Sequence, residues 1–225
     1  MRTGLQTPSG EGFIERAFMK PPNSVKDLEK LGRVQLSKSF FMRDMLYSEI
    51  SNFYGIQNIP EYPDIAIEAG RQFCENLLEP LQQNFGRISI RSAYRSPTLN
   101  KFGNEKKLGC ASNEFNYAKH IWDYRDKDGS LGALATIVVN RFVPYYELTK
   151  DWQSMAWYIH DHLPYSTLFF YPKLGAFNIG WHEQPKRRID SYINPKGTLT
   201  KFGMDNHEGD HSAYYKNMLE ALADK

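Results

Sequence analysis

Histidines are the side chains in this sequence best suited to metal chemistry, and two of them have comparable surroundings. The chain has six of them: His120, His160, His162, His182, His207 and His211. His120 and His182 each lie near a tryptophan in a segment that we predict to be a β-strand. Two imidazoles on neighbouring strands can bind one metal ion. Two unrelated histidines would instead make only their own hydrogen bonds, and spacing alone leaves both interpretations open.

The other four histidines suggest less. His160 and His162 are two residues apart in a predicted helix and therefore point to different sides, which indicates an exposed helix end. His207 and His211 lie in the polar segment 205–211. That segment could chelate a metal, but its composition is more typical of a solvated linker.

Arg95 is a candidate for binding an anionic ligand. It follows a predicted strand and lies in a turn between Tyr94 and Pro97, where side chains face a cleft more often than the core. A guanidinium at such a position can bind a carboxylate with two parallel hydrogen bonds. The basic run 185–188 is either a solvated surface or a second anchor for an anion.

The predicted helices and strands around these residues indicate an α+β domain with helices packed on a small antiparallel sheet. A helix should begin at Pro63 and end at Gly86, because apolar residues recur at helical spacing between them. Segments 116–125 and 134–139 flank an Asp-Gly turn and predict a β-hairpin, in which His120 would face Thr136. Further strands are predicted at 87–93, 168–171 and 176–182, and further helices at 97–102, 152–162 and 212–223.

The domain organisation follows from Gly and Pro punctuation. Residues 1–33 are polar and lack periodicity, which indicates an N-terminal arm or leader, and compact structure should begin near Leu36. Residues 34–200 would form the main domain. Residues 201–225 would form a C-terminal linker and helix.

Composition excludes several classes of protein. The 225 residues are 41% hydrophobic and 24% charged, with a net charge of +2, so a nucleic-acid partner is not expected. We see neither an apolar run long enough for a membrane segment nor a signal peptide in the first residues. With only two cysteines, a cytoplasmic site is the default, although a phage-borne protein could be released by lysis.

Two stretches resemble the zinc D-Ala-D-Ala carboxypeptidase family of bacteria and phages. The first is Leu36-Ser-Lys-Ser-Phe-Phe-Met-Arg-Asp-Met-Leu-Tyr-Ser-Glu. The second and more specific is Ile90-Arg-Ser-Ala-Tyr-Arg-Ser-Pro-Thr-Leu-Asn. The resemblance covers roughly residues 36–182, with a poorly matched middle. It implies the α+β fold shared with the VanX dipeptidase and the hedgehog signalling domain.

The resemblance also implies a zinc site. His120 matches the family's first histidine ligand and His182 its last, within the family's Trp-His segment. Thr136 stands where the family has an aspartate ligand, and Ile179 where it has the general base. Asp123 is the nearest replacement ligand, although it would need a strand bulge to reach the metal. Asp161 or His162 could also complete the site.

Arg95 matches the family's substrate-side arginine and would be its catalytic and substrate-binding residue here, with Tyr94 and Trp181 beside the substrate. The implied substrate is a peptidoglycan stem peptide or a D-amino-acid dipeptide. Because threonine is a poor zinc ligand and isoleucine cannot accept a proton, a zinc peptidase of low or altered activity is expected. The alternative is an inactive or repurposed cell-wall-binding or phage structural domain on the same fold.

Overall fold

The computed structural model describes residues 19–223, which form an α+β domain. The helices are α1 (Val25–Gly32), α2 (Met42–Met45), α3 (Glu49–Tyr54), α4 (Pro63–Phe73), α5 (Glu79–Phe85), α6 (Pro97–Glu105), α7 (Asn113–Asn116), α8 (Phe142–Thr149), α9 (Gln153–His162) and α10 (Ser212–Ala223). The strands are β1 (Ile88–Ser92), β2 (Gly132–Val139), β3 (Thr167–Phe170), β4 (Phe177–His182), β5 (Arg188–Ser191) and β6 (Gly197–Thr200). No described helix is both long and apolar enough to cross a membrane.

The sheet has six strands in the order β1-β2-β4-β3-β5-β6. It is mixed rather than antiparallel as predicted, because β5 crosses beyond β3 and pairs with it in parallel. Strands β5 and β6 have four residues each and were absent from the predicted elements, since so short a segment shows little alternation.

The two faces of the sheet differ in chemistry. Ala135, Ile179, Leu168 and Ile189 pair across four strands and are buried in the hydrophobic core. The next set of paired residues, on the opposite face, is mostly polar and consists of Ser92, Thr136, Asn178, Phe169, Asp190 and Thr198. We call this set the cross-strand row. It crosses all six strands.

The long helical segment before β1 confirms the predicted helix. Helix α4 continues through a π-helical turn, Cys74–Leu78, into α5. Its predicted apolar stripe is buried, and Gly86 ends it with a φ of 74° that favours glycine. This segment packs on the apolar face of the sheet and leaves the cross-strand row on the other face.

The predicted hairpin is wrong in its first half. Asn116 ends α7, and residues 117–125 form turns with one isolated bridge between Tyr117 and Ile121. Strand β2 exists, but its partners are β1 and β4. Thr136 therefore lies opposite Ser92 and Asn178 rather than His120. The β-prone segment turns because the Asp123 side chain bonds to the distant residues Glu61, Tyr62 and Tyr94.

The two chain ends differ from the sequence expectation in one respect each. Part of the predicted arm is packed: Ser24 caps α1, and Leu31 is buried in the core. Residues 1–18 of that arm lie outside the described residues, as do 224–225. The C-terminal helix is confirmed as α10, but the preceding segment is not a solvated linker, because His207 and His211 are buried.

Candidate functional site

Arg95 lies where the chain leaves β1, at the edge of the polar face. Its backbone N–H donates to the His120 carbonyl over 2.8 Å. Its side chain folds back over the sheet, and its Nη2 lies 3.2 Å from the Ser92 hydroxyl. We call Arg95, Ser92, His120 and Cys110 the arginine corner.

The guanidinium of Arg95 is half-buried and has no carboxylate partner. Besides Ser92, it contacts Cys110 Sγ at 3.3 Å and His120 Nε2 at 3.4 Å. Among residues 19–223, no carboxylate forms an ion pair with it. Burial lowers the pKa of Arg95, yet an arginine stays charged in proteins. The corner therefore holds a positive charge with no carboxylate in contact with it.

His120 is a neutral, fully anchored imidazole. Its Nδ1 lies 2.8 Å from the Ala93 carbonyl, so Nδ1 carries the proton and Nε2 presents its lone pair to Arg95. Burial, and next the charge of Arg95, lower the pKa of His120 to about 3. The ring therefore adds no positive charge to the corner and accepts from the guanidinium.

Asp123 is fully buried, and its hydrogen bonds hold the turn that contains His120. Its carboxylate accepts from the backbone N–H groups of Glu61 (2.7 Å) and Tyr62 (3.3 Å) and from the Tyr94 hydroxyl (3.1 Å). Burial raises the pKa of Asp123, and these hydrogen bonds oppose that effect. Both Asp123 and Tyr94, which is itself buried, thus support the corner from inside the protein.

His182 has partners of its own at the end of β4. Its Nε2 lies 3.1 Å from the Asp126 carboxylate and its Nδ1 lies 2.9 Å from the Gln184 carbonyl. Trp181 points to the opposite face of the sheet and packs against the core. His120 and His182 therefore belong to two separate hydrogen-bond networks.

The donors predicted for zinc do not fit a metal site as they are arranged. The free lone pair of His120 faces a cation, Asp123 is saturated by three donors, and His182 is paired with Asp126. Within the described part of the chain, no three His, Cys, Asp or Glu side chains converge on a metal position. Zinc binding stays a prediction from the resemblance.

The cross-strand row continues the polar surface away from Arg95. The Thr136 hydroxyl donates to Asn178 Oδ1 over 2.6 Å, and Asn178 Nδ2 donates to the Tyr171 hydroxyl over 3.1 Å. Arg95 is close enough to Tyr171 to lower its pKa, although burial has the larger, opposite effect. Thr136 thus belongs to a hydrogen-bonded surface that leads from the arginine corner to an aromatic cluster.

A further group of histidines was not predicted from the sequence. We call His160, His207 and His211, together with Asp161 and Trp157, the second histidine cluster. The His160 ring bonds to the Tyr165 hydroxyl (2.7 Å) and the His207 carbonyl (2.8 Å). His211 lies parallel to Trp157, with ring centroids 4.1 Å apart, and its Nδ1 is 2.7 Å from Asp161. Local spacing carries no signal for this cluster, because its two segments are about 50 residues apart in the chain.

This cluster lines a pocket of about 350 Å³ between α9 and the segment before α10. Its polar groups are already paired within the protein: Tyr215 donates to Asp161, His162 contacts Tyr215, and Arg187 donates to the carbonyls of Leu163 and His160. The pairing indicates that the cluster stabilises the fold.

The two arginines of the basic run 185–188 are similarly paired within the protein. Arg188 forms two hydrogen bonds to Asp190, and Arg187 is bound to backbone carbonyls. Among Arg95, Arg187 and Arg188, Arg95 is thus the one whose guanidinium has neither a carboxylate nor a carbonyl partner in the described structure.

No protein-family model, curated protein or solved structure matches this chain.

Proposed function

We propose that this protein binds the terminal carboxylate of a peptide at Arg95, as a repurposed binding domain of the peptidase-like type. The ligand class is the one that the sequence resemblance implies, a cell-wall stem peptide or a D-amino-acid dipeptide. The observation that carries the proposal is the half-buried guanidinium of Arg95, whose partners are a hydroxyl, a thiol and an imidazole.

The charge of the corner suits a single carboxylate. The guanidinium contacts a hydroxyl, a thiol and an imidazole but no carboxylate, so a ligand with one negative charge would complement it. The existing contacts of Arg95 measure 3.2–3.4 Å, whereas charge-assisted bonds to a carboxylate are typically about 2.7–2.9 Å. A carboxylate would therefore replace long, weak contacts with short, strong ones.

The turn that carries His120 fixes the guanidinium before any ligand arrives. Arg95 bonds to His120 through both its backbone and its side chain, and His120 bonds back to Ala93. Asp123 holds the same turn. A cation that is already fixed loses little conformational freedom on binding, which favours affinity.

Binding is better supported than hydrolysis. Ile179, at the position of the family's base, lies in the hydrophobic core, and Thr136 is bonded to Asn178. One observation favours the alternative, a zinc peptidase: His120 donates through Nδ1 to a carbonyl, which is how metal-ligating histidines are commonly oriented.

Calorimetric titration with acetyl-Lys-D-Ala-D-Ala and with its C-terminal amide tests the proposal. We expect the acid to bind and the amide to bind at least about tenfold more weakly, because a hydrogen bond to a charged group contributes about 1.5–3 kcal/mol. Arg95→Gln should abolish the difference. Arg91→Gln is the matched control, since Arg91 is an exposed arginine four residues away whose nearest carboxylate is 3.9 Å distant.

Equal binding of acid and amide would overturn the proposal. The alternative is tested with the same samples, by adding zinc and measuring release of D-alanine. Zinc-dependent release that is lost in His120→Ala would replace the binding function with the peptidase. Carboxylate-dependent binding without release would support the proposal as stated.

A further inference from the structure

The cross-strand row gives the candidate ligand a direction and a length. From β1 the row passes through β2, β4 and β3 to β5. Neighbouring strands are about 4.8 Å apart, so β3 lies roughly 14 Å and β5 roughly 19 Å from β1. An extended peptide advances about 3.3 Å per residue. A chain held at Arg95 and lying across the strands would thus reach β3 or β5 after about four to six residues.

Three aromatic side chains stand farther along this path. Tyr171, which reaches back to Asn178 on β4, is the one nearest to Arg95. The ring centroids of Phe169 and Tyr192 are 4.6 Å apart, those of Phe169 and Tyr171 are 5.2 Å apart, and those of Tyr171 and Tyr192 are 6.1 Å apart. We call these three residues the aromatic wall. Tyr192 is 59% exposed, while Phe169 and Tyr171 are half-buried.

The aromatic wall is continuous with the polar part of the path. The Tyr171 hydroxyl accepts from Asn178, and Phe169 lies between Asn178 and Asp190 in the row. Asp190 is itself neutralised by Arg188 and by the Thr198 hydroxyl. The far end therefore offers an apolar surface with no free charge, whereas the near end offers one positive charge.

We infer that the ligand is an extended peptide of at least four residues, with an apolar side chain three to five residues before its terminal carboxylate. This inference rests on the proposed function, since Arg95 supplies the carboxylate end. The apolar side chain would lie on the aromatic wall, and the residues between would cross Thr136 and Asn178. A dipeptide would occupy only the near half of the path.

Three acetylated peptides test the inference by calorimetry: Gly-Ala, Phe-Gly-Gly-Gly-Ala and Ser-Gly-Gly-Gly-Ala, each with a free carboxylate. The phenylalanine peptide should bind about tenfold more tightly than the serine peptide, the order expected for burying one apolar side chain. Tyr192→Ser should remove this preference while leaving the Gly-Ala affinity unchanged. Tyr214→Ser is the control, because Tyr214 is 61% exposed and lies on α10.

The apolar contact and the carboxylate contact predict different outcomes in these titrations. If all three peptides bind equally and all require Arg95, the inference is wrong and the proposed function stands. If none depends on Arg95, the proposed function is wrong as well. A preference for phenylalanine that persists in Tyr192→Ser but disappears in Tyr214→Ser would move the apolar contact to another surface and overturn the inference.

Discussion

The arginine corner and the second histidine cluster contain similar residue types and differ in how charge is balanced. In the second histidine cluster, the Asp161 carboxylate lies at one ring nitrogen of His211 and the Asn206 carbonyl at the other. In the arginine corner, no carboxylate contacts the charge of Arg95.

Charge balance, rather than residue type, therefore separates a site that stabilises the fold from one that can bind a ligand. Buried charges in proteins are usually paired, because desolvation of an unpaired charge is costly. In the described residues, no buried side-chain nitrogen or oxygen lacks a hydrogen-bond partner. Arg95 is satisfied in number of contacts but not in charge, and a bound carboxylate would supply the missing charge.

The largest effect should come from breaking the balanced cluster. Asp161→Ala removes the acceptor of the His211 ring, the His211 backbone N–H and the Tyr215 hydroxyl. Because the Asp161 side chain is only 14% exposed, its donors would be left without an acceptor, and we expect the free energy of unfolding to fall by about 2–3 kcal/mol. Urea denaturation measures the loss. Peptide binding at Arg95 should be unchanged, and a loss below about 1 kcal/mol would mean that the cluster is not structural.

The next effect concerns the turn that supports the arginine corner. A Cβ at Gly132 would lie 2.2 Å from the Ala118 carbonyl oxygen, so Gly132→Ala should destabilise the protein by about 1–3 kcal/mol and weaken peptide binding by displacing the turn before His120. Gly129→Ala is the control. Its new Cβ has open space, but the residue has a left-handed φ of +79°. The control should lose stability without losing affinity. Unchanged affinity in Gly132→Ala would mean that the turn does not position Arg95.

A pH effect should be specific to the arginine corner. The pKa of His120 is about 3 in the folded state against an ordinary 6.5, so between these values the unfolded chain binds more protons. Stability should therefore fall as pH decreases from 6.5 towards 3, by at most about 1.4 kcal/mol per pH unit from this residue. His120→Gln should flatten the dependence in that range. An identical pH slope in the variant would contradict the buried neutral imidazole.

The smallest stability effect should come from Arg95 itself. Arg95→Leu removes a half-buried charge that has no charged partner, so we expect unfolding to change by less than about 1 kcal/mol while peptide binding is lost. Arg187→Leu provides the contrast, because Arg187 donates to the carbonyls of Leu163 and His160. It should cost more stability and leave binding intact. The reverse pattern would mean that Arg95 is the structural arginine.

Elements with strong local periodicity were predictable from the residues alone. The helix that begins at Pro63, the strand before Arg95, and the strands that became β3 and β4 are all as predicted. The α+β class follows from these elements, and so does the position of Arg95 at the end of a strand. Such predictions succeed because apolar spacing and helix caps act within a few residues.

How these parts meet depends on contacts between segments that are far apart in the chain. The turn around His120 is β-prone in sequence, yet Asp123 bonds across more than 60 residues to Glu61 and holds it out of the sheet. The same long-range pairing buries His211 against Trp157 and leaves Arg95 without a counter-charge. Hydrogen-bond and charge partners from distant segments determine which polar residues are satisfied, and local spacing contains no record of those partners.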